Sequence, residues 1–290
     1  MPHPYATEAY AEALSFLGQP THVHAWGAFV LARKIAGNDK DALGVYPRTP
    51  IVSGGDLAAG LNQLSEDGLV SAVVVPEPLG APSQDRLRAA FDVCQPFKTH
   101  LLMERRRGFS PSKHHVDLIR RGGRRCLVSE VALSSNLQSW RQLYDVLVER
   151  HSIEGVTNFP DEYFERLARL DAVTTFQARV DGAVAGMSIW VYYDGIATSH
   201  LSVTNALGYR NSASYALYAA AFDHFTSADF FDLGGSAGHR DDPLDGLFQF
   251  KQGFANSEIR STLCGAILDR ARYRQLAGDR VTEFFPAYRA

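Results

Sequence analysis

Two Asp-Gly dipeptides, Asp181-Gly182 and Asp194-Gly195, each separate runs of alternating apolar and polar residues. A two-residue hairpin that follows the natural twist of its strands needs positive φ at both central positions, which aspartate tolerates and glycine adopts freely. Segments 173–180, 183–193 and 196–204 are therefore predicted to form three consecutive antiparallel strands. Around them, 136–151 and 160–170 have helical spacing, 212–225 reads as a strong helix, and 228–235 and 257–268 read as buried strands. Residues 269–277 end in a helical turn.

The first half is also mixed. Helical spacing covers 5–17 and 55–67, and 83–94 reads as a helix with Ser83 as its N-cap. Segments 22–35, 42–54, 69–76 and 96–104 are extended or strand-like. A chain of 290 residues has room for two ordinary domains, and 46% apolar residues suffice for their cores. The expected fold class is α/β (α+β), with two tandem domains, each a mixed, mostly antiparallel sheet flanked by helices. The division is placed at 130, giving domains 1–130 and 131–290.

A net charge of −3 gives no overall basic field, so no DNA partner is expected. Cys94, Cys126 and Cys264 lie far apart and are odd in number, which argues for a reducing, cytoplasmic setting. The first residues lack a basic and then apolar leader, and no apolar run approaches the ~20 residues of a membrane span. His22, His24, His114, His115 and His239 show no ligand spacing with nearby Cys or carboxylates, so no metal is expected.

Residues 105–125 depart from this balance, holding eight Lys/Arg and one acid, while the rest of the chain sums to about −10. Ser110 and Pro111 suit the N-cap and first position of a helix. Lys113, Arg120, Arg121, Arg124 and Arg125 recur every three to four residues or sit adjacent, so several share one flank. Such a stripe reads either as a solvated helix face or as a site for a polyanion.

The most specific signal is FDLGGSAGHRDDPLDGLFQFKQGFANSEI at 231–259. It resembles the Fem-type (FemABX) branch of the GNAT superfamily. In that branch a strand ends in Asp-hydrophobic-Gly-Gly and is followed by Gly-Leu-Phe-x-Phe-Lys-x-Gly-Phe. Here these are Asp232, Gly234, Gly235, then Gly246, Leu247, Phe248, Phe250, Lys251, Gly253 and Phe254. The basic segment before 130 and HLSVTNALGYRNSASYALYAAAFDHF at 200–225 match in order, and the resemblance covers residues 96–270. It implies tandem GNAT-like domains and transfer of an amino acid from aminoacyl-tRNA to an amine, with acyl-CoA as the alternative donor and no tightly bound cofactor. It also implies that Lys251 meets the tRNA acceptor end and the reacting carbonyl.

The residues support that chemistry in kind. Amide formation needs a deprotonated amine, a stabilised oxyanion and aligned reactants. Gly234 and Gly235 permit close backbone approach to a ligand. Lys251 among Phe248, Phe250 and Phe254 would carry its charge in a partly apolar site, or would lay its stem on an apolar surface. His200, mid-strand, suits a base or a hydrogen-bonded core histidine. Asp232 suits an orienting carboxylate or a structural cap. Asn205, Arg210 and Tyr215 complete the expected substrate-binding set. The stretch 205–213 lacks the Q/R-x-x-G-x-G/A pattern with which GNAT enzymes hold a CoA pyrophosphate, which favours charged tRNA over a CoA thioester.

Overall fold

The computed structural model describes the chain apart from residues 1, 53, 81, 152, 156–157, 237–241 and 243. In chain order its first elements are α1 (Glu8–Ala13), β1 (Gln19–Val23), β2 (Ala28–Lys34), β3 (Lys40–Gly44), α2 (Leu57–Glu66), β4 (Leu69–Val74), α3 (Gln84–Ala90) and β5 (Val93–Glu104). Next come α4 (Lys113–Arg125), β6 (Leu127–Val131), α5 (Leu137–His151), α6 (Asp161–Leu167), β7 (Val173–Val180), β8 (Ala183–Tyr193) and β9 (Ile196–Thr204). The last are α7 (Ala206–Asn211), α8 (Ala213–His224), β10 (Phe230–Asp232), α9 (Gly246–Gln252), β11 (Ser257–Ile267) and α10 (Arg270–Ala277).

The chain is a mixed α/β structure that resolves into two compact units, residues 1–98 with 260–290, and residues 99–259. In the first unit the strand order is β1-β2-β3-β4-β11. The β3/β4 pair is parallel, joined through α2, and the other pairs are antiparallel. Every residue of β4 is buried, as expected of an apolar strand flanked on both sides. Trp26, Leu64, Ala72, Val74 and Cys264 belong to its core.

The second unit has the order β5-β10-β9-β8-β7-β6. Its β9/β10 pair is parallel, joined through α7 and α8, and its other pairs are antiparallel. The meander forms as expected: Asp181, Gly182, Asp194 and Gly195 have φ of 49°, 81°, 47° and 77°. Trp190, Phe222, Phe231 and Leu217 lie in the core beneath α8.

Several local expectations shift. The unit boundaries fall at 98/99 and 259/260 rather than at 130, because the first unit takes its last strand, β11, from near the end of the chain, while the second is one continuous segment. The helix expected over 83–94 stops at Ala90, although Ser83 caps it by accepting from Arg86 N. Phe91 is extended and buried in the core, and strand pairing claims the following residues. The basic helix is capped by Ser112, whose Oγ accepts from His115 N, rather than by Ser110. Phe109, just before it, holds the entering chain by packing on Phe222 and Phe254. The stretch before β11, expected as a loop, contains α9.

α4 docks on α8 through Gly122, where an added Cβ would lie 2.6 Å from the Ser212 carbonyl oxygen. Its neighbour Gly123 faces open space. Gly122→Ala should therefore destabilise by about 1–3 kcal/mol through overpacking, whereas Gly123→Ala should stabilise by about 0.5–1 kcal/mol through helix propensity. Urea unfolding midpoints of the two variants provide the comparison.

Candidate active site

β10 is short. Phe230–Asp232 run parallel to Ile196–Thr198, and β9 then continues to Thr204 paired with β8. On its other side β10 pairs antiparallel with β5, and this pairing continues beyond Asp232: Leu233 N donates to Leu101 O at 3.0 Å, and Leu101 N donates to Gly234 O at 3.1 Å. The diglycine thus stays with β5, whereas the β9/β10 pairing ends at Thr198 and Asp232.

Asp232 is fully buried and sits where that pairing ends. One carboxylate oxygen accepts from Gly234 N at 2.8 Å, and both lie 3.1 Å from His100 Nδ1. Gly234 has φ of +74°, a conformation glycine adopts without strain, and an added Cβ would lie 3.2 Å from Lys251 Nζ. The Lys251 ammonium, itself buried, donates to Gly235 O at 2.8 Å.

α9 supplies that lysine. Asp245 caps the helix by accepting from Phe248 N at 3.1 Å, and the helix ends one residue after Lys251. Phe250 and Phe254 lie one turn apart and pack on Tyr218 with ring centroids at 4.9 and 5.4 Å, and on Tyr215 at 5.0 and 5.7 Å. His115 locks the turn that follows. Its Nε2–H donates to Phe250 O at 2.9 Å, which leaves Nδ1 to accept from Ser112 Oγ at 3.0 Å. Its ring fills the space where a Cβ on Gly253 would stand, so the glycine of the Phe-Lys-x-Gly-Phe motif is required by a close approach.

Asp232, Gly234, Gly235, Lys251, Phe250, Phe254 and Tyr215 are therefore brought together within the second unit, with Phe248 buried on the same helix. His200 is held elsewhere. Its Nε2 lies 2.6 Å from the Tyr163 hydroxyl of α6, whereas the adjacent Ser199 hydroxyl reaches Tyr218 of α8 at 2.9 Å; His200 is the extra residue of a bulge between Ser199, opposite Trp190, and Leu201, opposite Ile189. Asn205 caps α7 by accepting from Gly208 N at 3.0 Å, and its amide donates to Val184 O. Arg210 is exposed at the end of α7. Lys113, Arg120, Arg121, Arg124 and Arg125 are all exposed on α4, opposite the buried His115 and Gly122. Arg121 donates to Arg210 O at 2.6 Å and Arg125 to Asn211 Oδ1 at 3.3 Å, so these two also tie α4 to α7. His239 lies outside the described residues.

The sequence reading missed His100, Tyr218 and Tyr163, whose roles depend on partners 132, 19 and 37 residues away. No local spacing could have signalled them. Among the described residues no cluster of His, Cys, Asp or Glu has the arrangement of a metal site, and no helix is long and apolar enough to cross a membrane.

A mixed sheet whose parallel β9/β10 pair ends beside a diglycine, with a lysine-bearing helix packed next to it, is a fold that several solved structures share. FemX shares it at a TM-score of 0.65 and 11% identity over 93% of this chain and 94% of that one. The L-PGS of Bacillus licheniformis follows at 0.60 and 13%, covering 93% and 95%. The C-terminal domain of an Agrobacterium fabrum protein described as a lysylphosphatidylglycerol synthetase gives 0.61 and 15%, covering 91% and 88%. No family model and no curated protein matches the sequence.

Burial pushes the Tyr218 hydroxyl up to about 12, against the hydrogen bond from Ser199, and the nearby Asp232 charge adds to the rise. An unfolded tyrosine ionises near 10. Between about pH 10 and 12 the unfolded chain has lost a proton that the folded chain keeps, so stability falls as pH rises through that window. Tyr218→Phe should flatten part of this decline in urea unfolding measured across it, with Tyr215, also raised by burial, contributing part of the remainder.

Proposed function

We propose that the chain is an acyltransferase that forms an amide on an amine acceptor, with aminoacyl-tRNA as the donor. The observation that carries this is the buried Lys251, whose ammonium is held on the Gly235 carbonyl just beyond the end of the β9/β10 pairing. As an amine adds to an ester carbonyl, negative charge develops on the carbonyl oxygen, and a fixed cation in a water-poor site stabilises it more than water does. Phe250, Phe254, Tyr215 and Tyr218 supply the apolar wall and hold the helix that carries the lysine. Each unit has one parallel strand pair joined through helix, which supports reading the two units as related GNAT-like folds in tandem.

The donor is argued from two further observations. A CoA pyrophosphate bound in the GNAT manner needs free N–H groups at the helix following β9. In α7 the Gly208 N–H is already taken by the Asn205 side chain. The exposed cations of α4 instead offer a track for phosphates. Arg120 and Arg124 serve it best, because the Arg121 and Arg125 guanidiniums also bind the end of α7.

Thermal shifts with unfractionated aminoacyl-tRNA, uncharged tRNA and acetyl-CoA test the donor, since a ligand of the native state raises the melting temperature. The tRNAs should raise it at low salt and lose the effect as salt rises, and acetyl-CoA should leave it unchanged. A shift with acetyl-CoA and none with tRNA overturns the donor assignment. Lys251→Met should keep the tRNA-induced shift yet lose enzyme-dependent transfer to an added amine by about 10²–10³. Unchanged kcat/KM would remove Lys251 from the chemistry. Arg120→Gln combined with Arg124→Gln should lower the slope of log affinity against log salt by about 1 for each charge removed.

A further inference from the structure

An acceptor amine must surrender a proton as it attacks, and neither of the side chains proposed so far is placed to receive it. Lys251 is a donor fixed on a carbonyl, and the His200 Nε2 is engaged with the Tyr163 hydroxyl. Asp232 is fully buried, with its carboxylate occupied by Gly234 N–H and His100. We infer that His100 is the general base of the site, with Asp232 as the residue that orients it.

The geometry is that of a carboxylate–imidazole pair. Both Asp232 oxygens lie 3.1 Å from His100 Nδ1, so the buried charge fixes a proton on that nitrogen and leaves the lone pair on Nε2. Among the described residues Nε2 has no hydrogen-bond partner. The ring is also reachable, with 15% of the side chain exposed against 1% for Asp232. Its position follows from strand register. Leu101 exchanges hydrogen bonds with Leu233 and Gly234, so His100 stands on β5 at the level of the diglycine. The base and the Lys251 cation therefore flank the same two glycines.

This rests on the acyl-transfer reading and adds one step to it. The neutral amine attacks the ester carbonyl, forming the N–C bond. Its N–H proton passes to His100 Nε2. Collapse breaks the C–O bond to the ribose, and the leaving hydroxyl oxygen takes the proton back from Nε2, leaving an amide, a free hydroxyl and a neutral imidazole. The Asp232 carboxylate stabilises the imidazolium formed in between and does not itself take the proton.

His100→Asn separates this role from a structural one, because the asparagine amide can donate to Asp232 as Nδ1–H does but carries no basic nitrogen. The variant should keep the wild-type melting temperature and lose transfer from labelled aminoacyl-tRNA to an alkylamine by about 10²–10⁴. Transfer to hydroxylamine, whose nitrogen is unprotonated at neutral pH and strongly nucleophilic, should fall far less. Equal losses with both nucleophiles, or no loss with the alkylamine, overturn the assignment. If Lys251→Met abolishes transfer while His100→Asn does not, the acyl-transfer reading stands and His100 falls. If wild-type protein transfers to neither nucleophile, both fall. Independently of substrate, histidine-labelled protein should show by ¹⁵N NMR a neutral form of the His100 ring with its proton on Nδ1, identified by its loss in His100→Asn. A neutral ring that carries its proton on Nε2 rather than Nδ1 overturns the inference.

Discussion

A carboxylate with no exposed surface must be compensated where it stands, because burying an uncompensated charge costs several kcal/mol. The Gly234 N–H and the His100 ring both contribute to that compensation at Asp232. Both compensations have consequences for the backbone. Accepting from the residue two positions on folds the chain back at Gly234, which requires positive φ and so a glycine. The pairing with β5 runs on past this point, whereas the pairing with β9 ends at Asp232. The end of the β9/β10 pairing, where chemistry is proposed, thus coincides with the place where one buried charge is satisfied. The lysine then docks onto the carbonyl of the following glycine.

Much of this was legible in the sequence, for identifiable reasons. Turn chemistry is local, so Asp181-Gly182 and Asp194-Gly195 placed three strands, and Ser83 marked a helix start. The segment from Asp232 to Phe254 identified the neighbourhood of the candidate site because its residues are close along the chain. What escaped was set by distant partners. Nothing in residues 84–94 says that Phe91 leaves the helix to enter a core, and no periodicity marks seven residues from Gly246 as a helix when a cap and three aromatic side chains decide it. The glycine at 253 reads as a loop residue until the His115 ring is found against it. His100 looked like one more strand residue, since its significance lies entirely in Asp232.

The basic helix illustrates how one sequence signal divides into two physical roles. Of its five singled-out cations, Arg121 and Arg125 reach polar atoms at the end of α7, which a helix C-terminus favours through its partial negative charge. Lys113, Arg120 and Arg124 carry charge toward solvent, where an ion pair such as Arg120–Asp117 at 3.9 Å contributes little. Composition alone could not separate the stapling arginines from those available to a polyanion.

The recruitment of β11 into the first unit also governs how the chain can be made. β4 emerges early during synthesis, but the strand that covers its far edge, β11, follows almost two hundred residues later. Until then an apolar edge with unpaired backbone groups waits on the nascent polypeptide, the kind of surface that invites aggregation. The first unit is therefore completed last although it begins first, and a ribosome-bound intermediate truncated before β11 should be the species on which a holding chaperone acts.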